Sequence, residues 1–275
     1  MEAWLIALIA CGGALLLILG LWLFLIAPRR PRKASAAFAR PYAHRGLWGE
    51  GVPENSLLAF ELAAKAGFGI ELDVQLSSDG EVMVFHDYTL TRMCGRDVLL
   101  STLSAAELRE IPLQDSAHAI PTFREVLALV AGRVPLLVEL KGESGNTALV
   151  APVLKLLEDY GGEYCVESFN PLLLRAVKKQ APHVVRGILV TDLIKDKKKG
   201  SRLLNRALSS LWLNFLFRPD FIAWNEKYPK GLAKRACIAL FGARSICYTV
   251  RTPEQYAAHL ADDTYPIFEG FLPEK

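Results

Sequence analysis

The sequence predicts an α/β fold: a (β/α)8 TIM barrel with a hairpin and a small insertion after its second strand, preceded by one transmembrane helix. Three observations carry this. Trp4 to Ala27 contains no charged residue. From Pro41 onward, eight short apolar runs alternate with capped amphipathic segments. The one run that breaks the alternation, residues 81–86, follows its predecessor too closely to be a parallel neighbour.

The first segment is long enough to span a bilayer. At about 1.5 Å per residue it outreaches a hydrocarbon core of roughly 30 Å, and Trp4 and Trp22 lie near its ends, where aromatic rings favour the interface. A cleaved signal peptide is the rival reading, but it calls for a basic start and an apolar core of about 7 to 15 residues, whereas this chain begins Met1-Glu2-Ala3. Arg29, Arg30, Arg32, Lys33 and Arg40 follow the span and no Lys or Arg precedes it, so the positive-inside rule places the following domain in the cytoplasm. Residues 1–27 are therefore expected to be the transmembrane helix, 28–40 a basic tether suited to anionic headgroups, and 41–275 the barrel. The 275 residues include 32 Lys and Arg against 29 Asp and Glu, a net charge of +3, with 52% hydrophobic residues. That excludes a disordered chain, a collagen and a nucleic-acid clamp driven by bulk charge. The cysteines form no CxxC pair, so they read as reduced packing residues.

The caps set the phase of the barrel. Asn55 and Ser56 precede LLAFELAAKA, which Gly67 closes; Ser104 with Glu107, and Thr122 with Glu125, fit capping boxes; Asn170-Pro171 and Thr252-Pro253 put an N-cap before a first-turn proline. Strands fall near 41–45, 69–75, 134–141, 163–168, 184–190, 220–224, 244–250 and 266–270. The run 81–86 returns as a hairpin. With its turn centred between Ser78 and Asp79, Glu71 lies across from His86 and Asp73 across from Val84. An excursion over 87–121 then delays the second barrel helix to about Pro121.

Four polar clusters interrupt these strands: His44-Arg45, Glu71-x-Asp73, His86-Asp87 and Glu139-x-Lys141. Period two puts Glu71 with Asp73, and Glu139 with Lys141, on single faces, which must point into the barrel. An unpaired carboxylate there is costly. Arg45 and Lys141 as structural partners compensate two of three charges. Three hard oxygen ligands from two strands suit a divalent metal ion, Mg2+ or Ca2+, so Glu71, Asp73 and Glu139 are the candidate metal ligands. His44 and His86, beside carboxylates and titrating near neutrality, are the candidate acid and base.

HRG at 44–46, PENS at 53–56, ELDVQLSSDGEVMVFHD at 71–87, IPTFREVL at 120–127, VELK at 138–141 and ESFNPLLLRAVKKQAP at 167–182 resemble, in order, the glycerophosphodiester phosphodiesterase family. The resemblance implies a barrel with an insertion after the second strand and a divalent metal held by the residues matching Glu71, Asp73 and Glu139. It also implies catalytic histidines at His44 and His86 and phosphate contacts at Arg45 and Lys141. The implied substrate is a glycerophosphodiester, cleaved to glycerol phosphate and an alcohol. The C-terminal third departs from the pattern: Tyr248-Thr249-Val250-Arg251 stands for Trp-Thr-Val-Asn, and Gly270-Phe271-Leu272-Pro273 for a closing Thr-Asp. The resemblance therefore does not carry the alcohol specificity. His44 is assigned as base and His86 as acid, with water or the substrate's own glycerol hydroxyl as nucleophile. Two other functions fit the sequence: a lysophospholipase D-like hydrolase of lysophospholipids, and a membrane-tethered binding barrel without activity. The last requires a missing ligand or histidine, and none is missing.

Residues 195–217 exceed what a crossover needs. Leu203, Leu204, Ala207, Leu208, Leu211, Trp212, Phe215 and Leu216 recur at helical spacing behind the basic Lys195, Lys197, Lys198, Lys199, Arg202 and Arg206. The segment reads either as a barrel helix with solvated lysines or as a second, peripheral contact with membrane lipid.

Overall fold

The computed structural model describes residues 2–29, 40–114, 116–142 and 145–274. Most of the expected tether, residues 30–39, lies outside the described residues. In chain order the elements are α1 (Ala3–Ile26), β1 (Tyr42–His44), α2 (Leu57–Ala66), β2 (Gly69–Leu76), β3 (Val82–Val84), α3 (Thr91–Cys94), α4 (Ala105–Arg109), α5 (Phe123–Val130), β4 (Leu136–Leu140), α6 (Val150–Glu158), β5 (Tyr164–Ser168), α7 (Pro171–Gln180), β6 (Arg186–Val190), α8 (Arg202–Ser209), α9 (Asn214–Phe217), β7 (Phe221–Asn225), α10 (Leu232–Phe241), β8 (Arg244–Val250), α11 (Pro253–Ala261) and β9 (Thr264–Phe268).

Eight strands run parallel in the order β1-β2-β4-β5-β6-β7-β8-β9, and β9 pairs with β1 to close the barrel. β3 is the ninth, antiparallel to the end of β2. The helices begin where the sequence caps them. Ser56 Oγ accepts from the Ala59 amide, Ser104 and Thr122 each complete a capping box, and Asn170 and Thr252 cap helices that start on proline. The last strand sits two residues earlier than expected.

Alternate strand residues divide between two layers. Ile70, Leu72, Val74, Val138 and Val166 face outward and pack on Phe60, Phe123, Val126 and Val153 of the surrounding helices. Tyr42, Leu137, Cys165, Leu189, Phe221, Ile246 and Ile267 fill the barrel's lower interior with apolar volume. The polar inward residues are thus confined to the C-terminal ends of the strands, the face on which barrels of this architecture carry their chemistry.

The hairpin register differs from expectation. Ser77 and Glu81 pair across a three-residue loop, with Gly80 at φ +85°, and Val74 stands opposite Val84. A left-handed glycine in a three-residue loop displaces pairing by one residue relative to a two-residue turn. Asp73 accordingly faces Phe85, whose amide donates to the Asp73 carbonyl at 3.0 Å, and Glu71 is not paired with His86.

The C-terminal end of α1 is part of the barrel's outer layer. Ile26 is fully buried among Leu174, Ile188, Leu211, Phe217, Ile222 and Cys237. Asn214 Nδ2 donates to the Ile26 carbonyl at 2.8 Å, Arg218 Nη1 to the Ala27 carbonyl at 2.9 Å, and the Arg29 amide to the Pro219 carbonyl at 2.8 Å. Arg29, expected in a free tether, is held by the Pro182 carbonyl and lies 3.7 Å from Asp220.

Candidate active site

Glu71, Asp73 and Glu139 are all buried, and one carboxylate oxygen from each lies within 4.8 Å of the others. β2 and β4 are in register with Asp73 beside Glu139, so a local period-two pattern on each strand becomes a cluster across two. Lys141 Nζ is 3.0 Å from Asp73 and 2.9 Å from Glu139. Arg45 reaches the same cluster by two routes: its amide donates to Glu71 at 3.0 Å and its Nε lies 3.3 Å from Asp73. Asn55 Nδ2 donates to Asp73 at 2.9 Å. The turn carrying Arg45 presses on α2 at Gly46, where an added Cβ would sit 2.7 Å from the Ala59 backbone, so no side chain fits.

A fourth carboxylate belongs to the cluster. Glu167, register partner of Glu139 on β5, is buried, and its Oε2 accepts no hydrogen bond among the described residues. Four carboxylates against Arg45 and Lys141 leave an excess of two negative charges when all are ionised. Burial first, and repulsion among the four second, favour protons on most of them. Burial, with Asp73 and Glu139 nearby, pushes Glu71 well above the usual carboxylate range. Burial pushes Glu139 up to about 7 despite Lys141, and burial raises Glu167 too. Asp73 alone stays low: against its burial, Lys141 and Arg45 hold it ionised. Hard oxygen donors, a converging geometry and a two-charge deficit fit a divalent cation, the character of site that oxygen ligands select.

Both histidines adjoin this cluster. His44, at the end of β1, has Nε2 3.9 Å from Glu71, while its Nδ1 hydrogen-bonds Glu269 just past β9. His86 lies beyond the end of β3 in a bend, where Gln75 Nε2 donates to the carbonyls of Phe85, His86 and Asp87. That bend, rather than strand register, brings it to the charges of Asp73, Lys141 and Arg45. His86 Nδ1 contacts Asp87 at 2.6 Å. Arg92 links Asp87 to Glu54, and Glu54 binds Arg45 in turn. Burial lowers the pKa of both histidines below the ordinary value.

Each residue expected from the sequence is thus at one end of one barrel: His44, Arg45, Glu71, Asp73, His86, Glu139 and Lys141. Sequence reasoning missed Glu167, Glu269, Gln75, Asn55 and the Glu54–Arg92–Asp87 chain. Glu167 carries the same signal that marked Glu139, a lone acid at an inward position of an apolar strand. Glu269 carries none, because its role depends on closure. A second cluster, Glu226, Cys247 and His259, lies on the outer face near α11. Its groups satisfy one another, with Cys247 Sγ and His259 Nε2 on the same Glu226 oxygen at 2.9 and 2.7 Å.

A model of the glycerophosphoryl diester phosphodiesterase family matches residues 44–264. The chain belongs to that family. A glycerophosphodiester phosphodiesterase of Caldanaerobacter subterraneus subsp. tengcongensis is 35% identical over 159 residues, 54% of this chain and 65% of that protein. The chain thus spans less than two thirds of that relative. A lysophospholipase D of Homo sapiens is 30% identical over 146 residues, 48% of this chain and 45% of its own length. Among solved structures, an Oleispira antarctica phosphodiesterase in complex with the product sn-glycerol-3-phosphate superposes with a TM-score of 0.69 at 23% identity, covering 84% of this chain and 92% of that one. Within the glycerophosphoryl diester phosphodiesterase pattern, the departure at Arg251 has a structural partner: its Nη2 lies 2.6 Å from Glu269, the residue that holds His44.

Proposed function

We propose that this chain hydrolyses glycerophosphodiesters to glycerol phosphate and an alcohol, with one divalent cation, Mg2+ or Ca2+, held by Glu71, Asp73 and Glu139. The observation that carries the reading is a surplus of buried negative charge beside two half-buried histidines at a barrel mouth. When bound, the cation supplies Lewis acidity toward the nonbridging phosphate oxygens. Arg45 and Lys141, pinned by carboxylates, present fixed positive charge to the same oxygens. Glu269 holds the His44 proton on Nδ1, which leaves Nε2 facing the cluster as the proton acceptor for water or for the substrate's glycerol hydroxyl. His86, oriented by Asp87, donates a proton to the leaving alkoxide.

A lysophospholipid is the second substrate reading. It is supported by the human lysophospholipase D likeness and by α1, a 24-residue helix without a charged residue. A cleaved signal sequence shares that length and apolar composition. In our reading α1 is a single-pass anchor, and the basic residues after it keep the barrel cytoplasmic. The test is hydrolysis of glycerophosphocholine and lysophosphatidylcholine in parallel, with and without chelator. Metal-dependent release of glycerol phosphate supports the proposal. Chelator-insensitive turnover, or none on either substrate with metal present, overturns it.

A further inference from the structure

The described side chains of α1 are mostly exposed from Ala3 to Leu21, and from Trp22 onward the helix is half-buried to buried except at Phe24, which is 53% exposed. Those 19 residues measure about 28 Å at helical rise, close to the roughly 30 Å of a hydrocarbon core. The bilayer boundary therefore falls near Trp22. Ile26, Ala27 and Arg29 are bonded to residues around 214–219, which lead into the N-terminal end of β7. One turn earlier, Trp22 lines a groove of about 490 Å3 with Val190, Thr191, Trp224 and Leu232, at the C-terminal ends of β6 and β7. Between Ile26 and Trp22, α1 thus climbs from the closed end of the barrel toward the mouth. Extended along the same axis, its exposed apolar part would continue beyond the mouth.

The mouth beside α1 has the matching surface. Leu203 is 73% exposed and Leu204 50% at the start of α8, and Leu232 is 74% exposed at the start of α10. The loop between β6 and α8 with the first turns of α8, residues 191–206, has six basic and two acidic side chains, and Lys195, Lys197, Lys198 and Lys199 are exposed. The rest of the segment 195–217 is a packing element: Leu211 and Phe217 are buried, and Phe215 packs against Phe24 of α1.

We infer that α1 docks rigidly on the barrel so that the catalytic mouth lies against an anionic phospholipid bilayer, with Leu203, Leu204 and Leu232 entering the interface and Lys195 to Lys199 meeting headgroups. Apolar side chains beside a cluster of lysines are the composition an anionic interface binds. Resting on the hydrolytic reading above, the placement makes a substrate resident in the bilayer, with an acyl chain and a glycerophosphodiester headgroup, the favoured class.

The test uses the full chain in phosphatidylcholine–phosphatidylglycerol vesicles carrying brominated acyl chains, with Cys11 replaced by Ser. A bimane label is placed at Leu203→Cys or at Leu240→Cys, the latter 68% exposed at the opposite end of α10. Quenching at position 203 should exceed that at 240 by at least about twofold. Equal quenching, or more at 240, overturns the inference whether or not the protein is active. In the same vesicles, Lys197→Glu, Lys198→Glu and Lys199→Glu together should lower lysophosphatidylcholine turnover about tenfold and leave soluble glycerophosphocholine turnover within about twofold. Equal loss on both, or no loss, overturns the substrate assignment. Absence of all hydrolysis in the unsubstituted chain would instead overturn the hydrolytic reading and leave the quenching result to decide the docking.

Discussion

His44 and Glu269 are 225 residues apart in the chain and meet across the seam of the barrel, where Nδ1 of the imidazole is bonded to the carboxylate. The pairing exists because β1 and β9 lie side by side, with Ala43 opposite Phe268. Arg251 binds the other oxygen of Glu269 and His44 holds the first, so despite its burial the carboxyl falls to about 2. An ionised partner fixes the tautomer that presents Nε2 to the site.

Glu269→Gln should therefore lower kcat by at least about tenfold, since the carboxylate no longer orients the base. Affinity for the divalent cation should be unchanged. Unaltered kcat in steady-state assays would remove Glu269 from the positioning role.

Direct removal of the bases should be more severe. His44→Ala and His86→Ala are each expected to lose about 100-fold to 10,000-fold in turnover while still binding the cation. Near-normal turnover in either variant takes that histidine out of the mechanism.

Cation binding itself is tested without catalysis. A Glu71→Gln, Glu139→Gln double variant should show no calorimetric heat with Mg2+ or Ca2+ under conditions where the unsubstituted protein titrates, because two of three ligand oxygens lose their charge. Undiminished binding would place the ion elsewhere.

The raised carboxyls give the metal-free protein an unusual pH dependence. Glu71, Glu139 and Glu167 hold protons in the fold at pH values where the unfolded chain has lost them, so stability falls as pH rises. The histidines work in the opposite sense, with folded values below 6.5, and their contribution fades as pH passes the unfolded value. With Glu139 at about 7, the chelated protein should lose thermal stability from pH 6.5 to pH 8. Added divalent cation should raise Tm more at pH 8 than at pH 6.5. A chelated Tm that climbs over this window contradicts a proton-bearing acidic cluster.

The sequence by itself determined the properties that depend on local geometry. Helix starts were legible because Ser56, Ser104, Thr122, Asn170 and Thr252 bond amides only two or three residues away. The common face of Glu71 and Asp73, and that of Glu139 and Lys141, followed from the alternation of a single strand. The length of α1 followed from composition alone. Tertiary structure decided what depends on register and closure. One left-handed residue, Gly80, moved the hairpin by one position, so a bend held by Gln75 delivers His86 where strand pairing would not. Glu167 joins the site through the offset of β5 against β4, and Glu269 through the seam between β9 and β1. The face of the barrel from which α1 departs rests on bonds from Asn214 and Arg218, nearly two hundred residues downstream. Side-chain alternation repeats every two residues and is written in each segment, whereas strand offsets are fixed only when the whole cylinder closes.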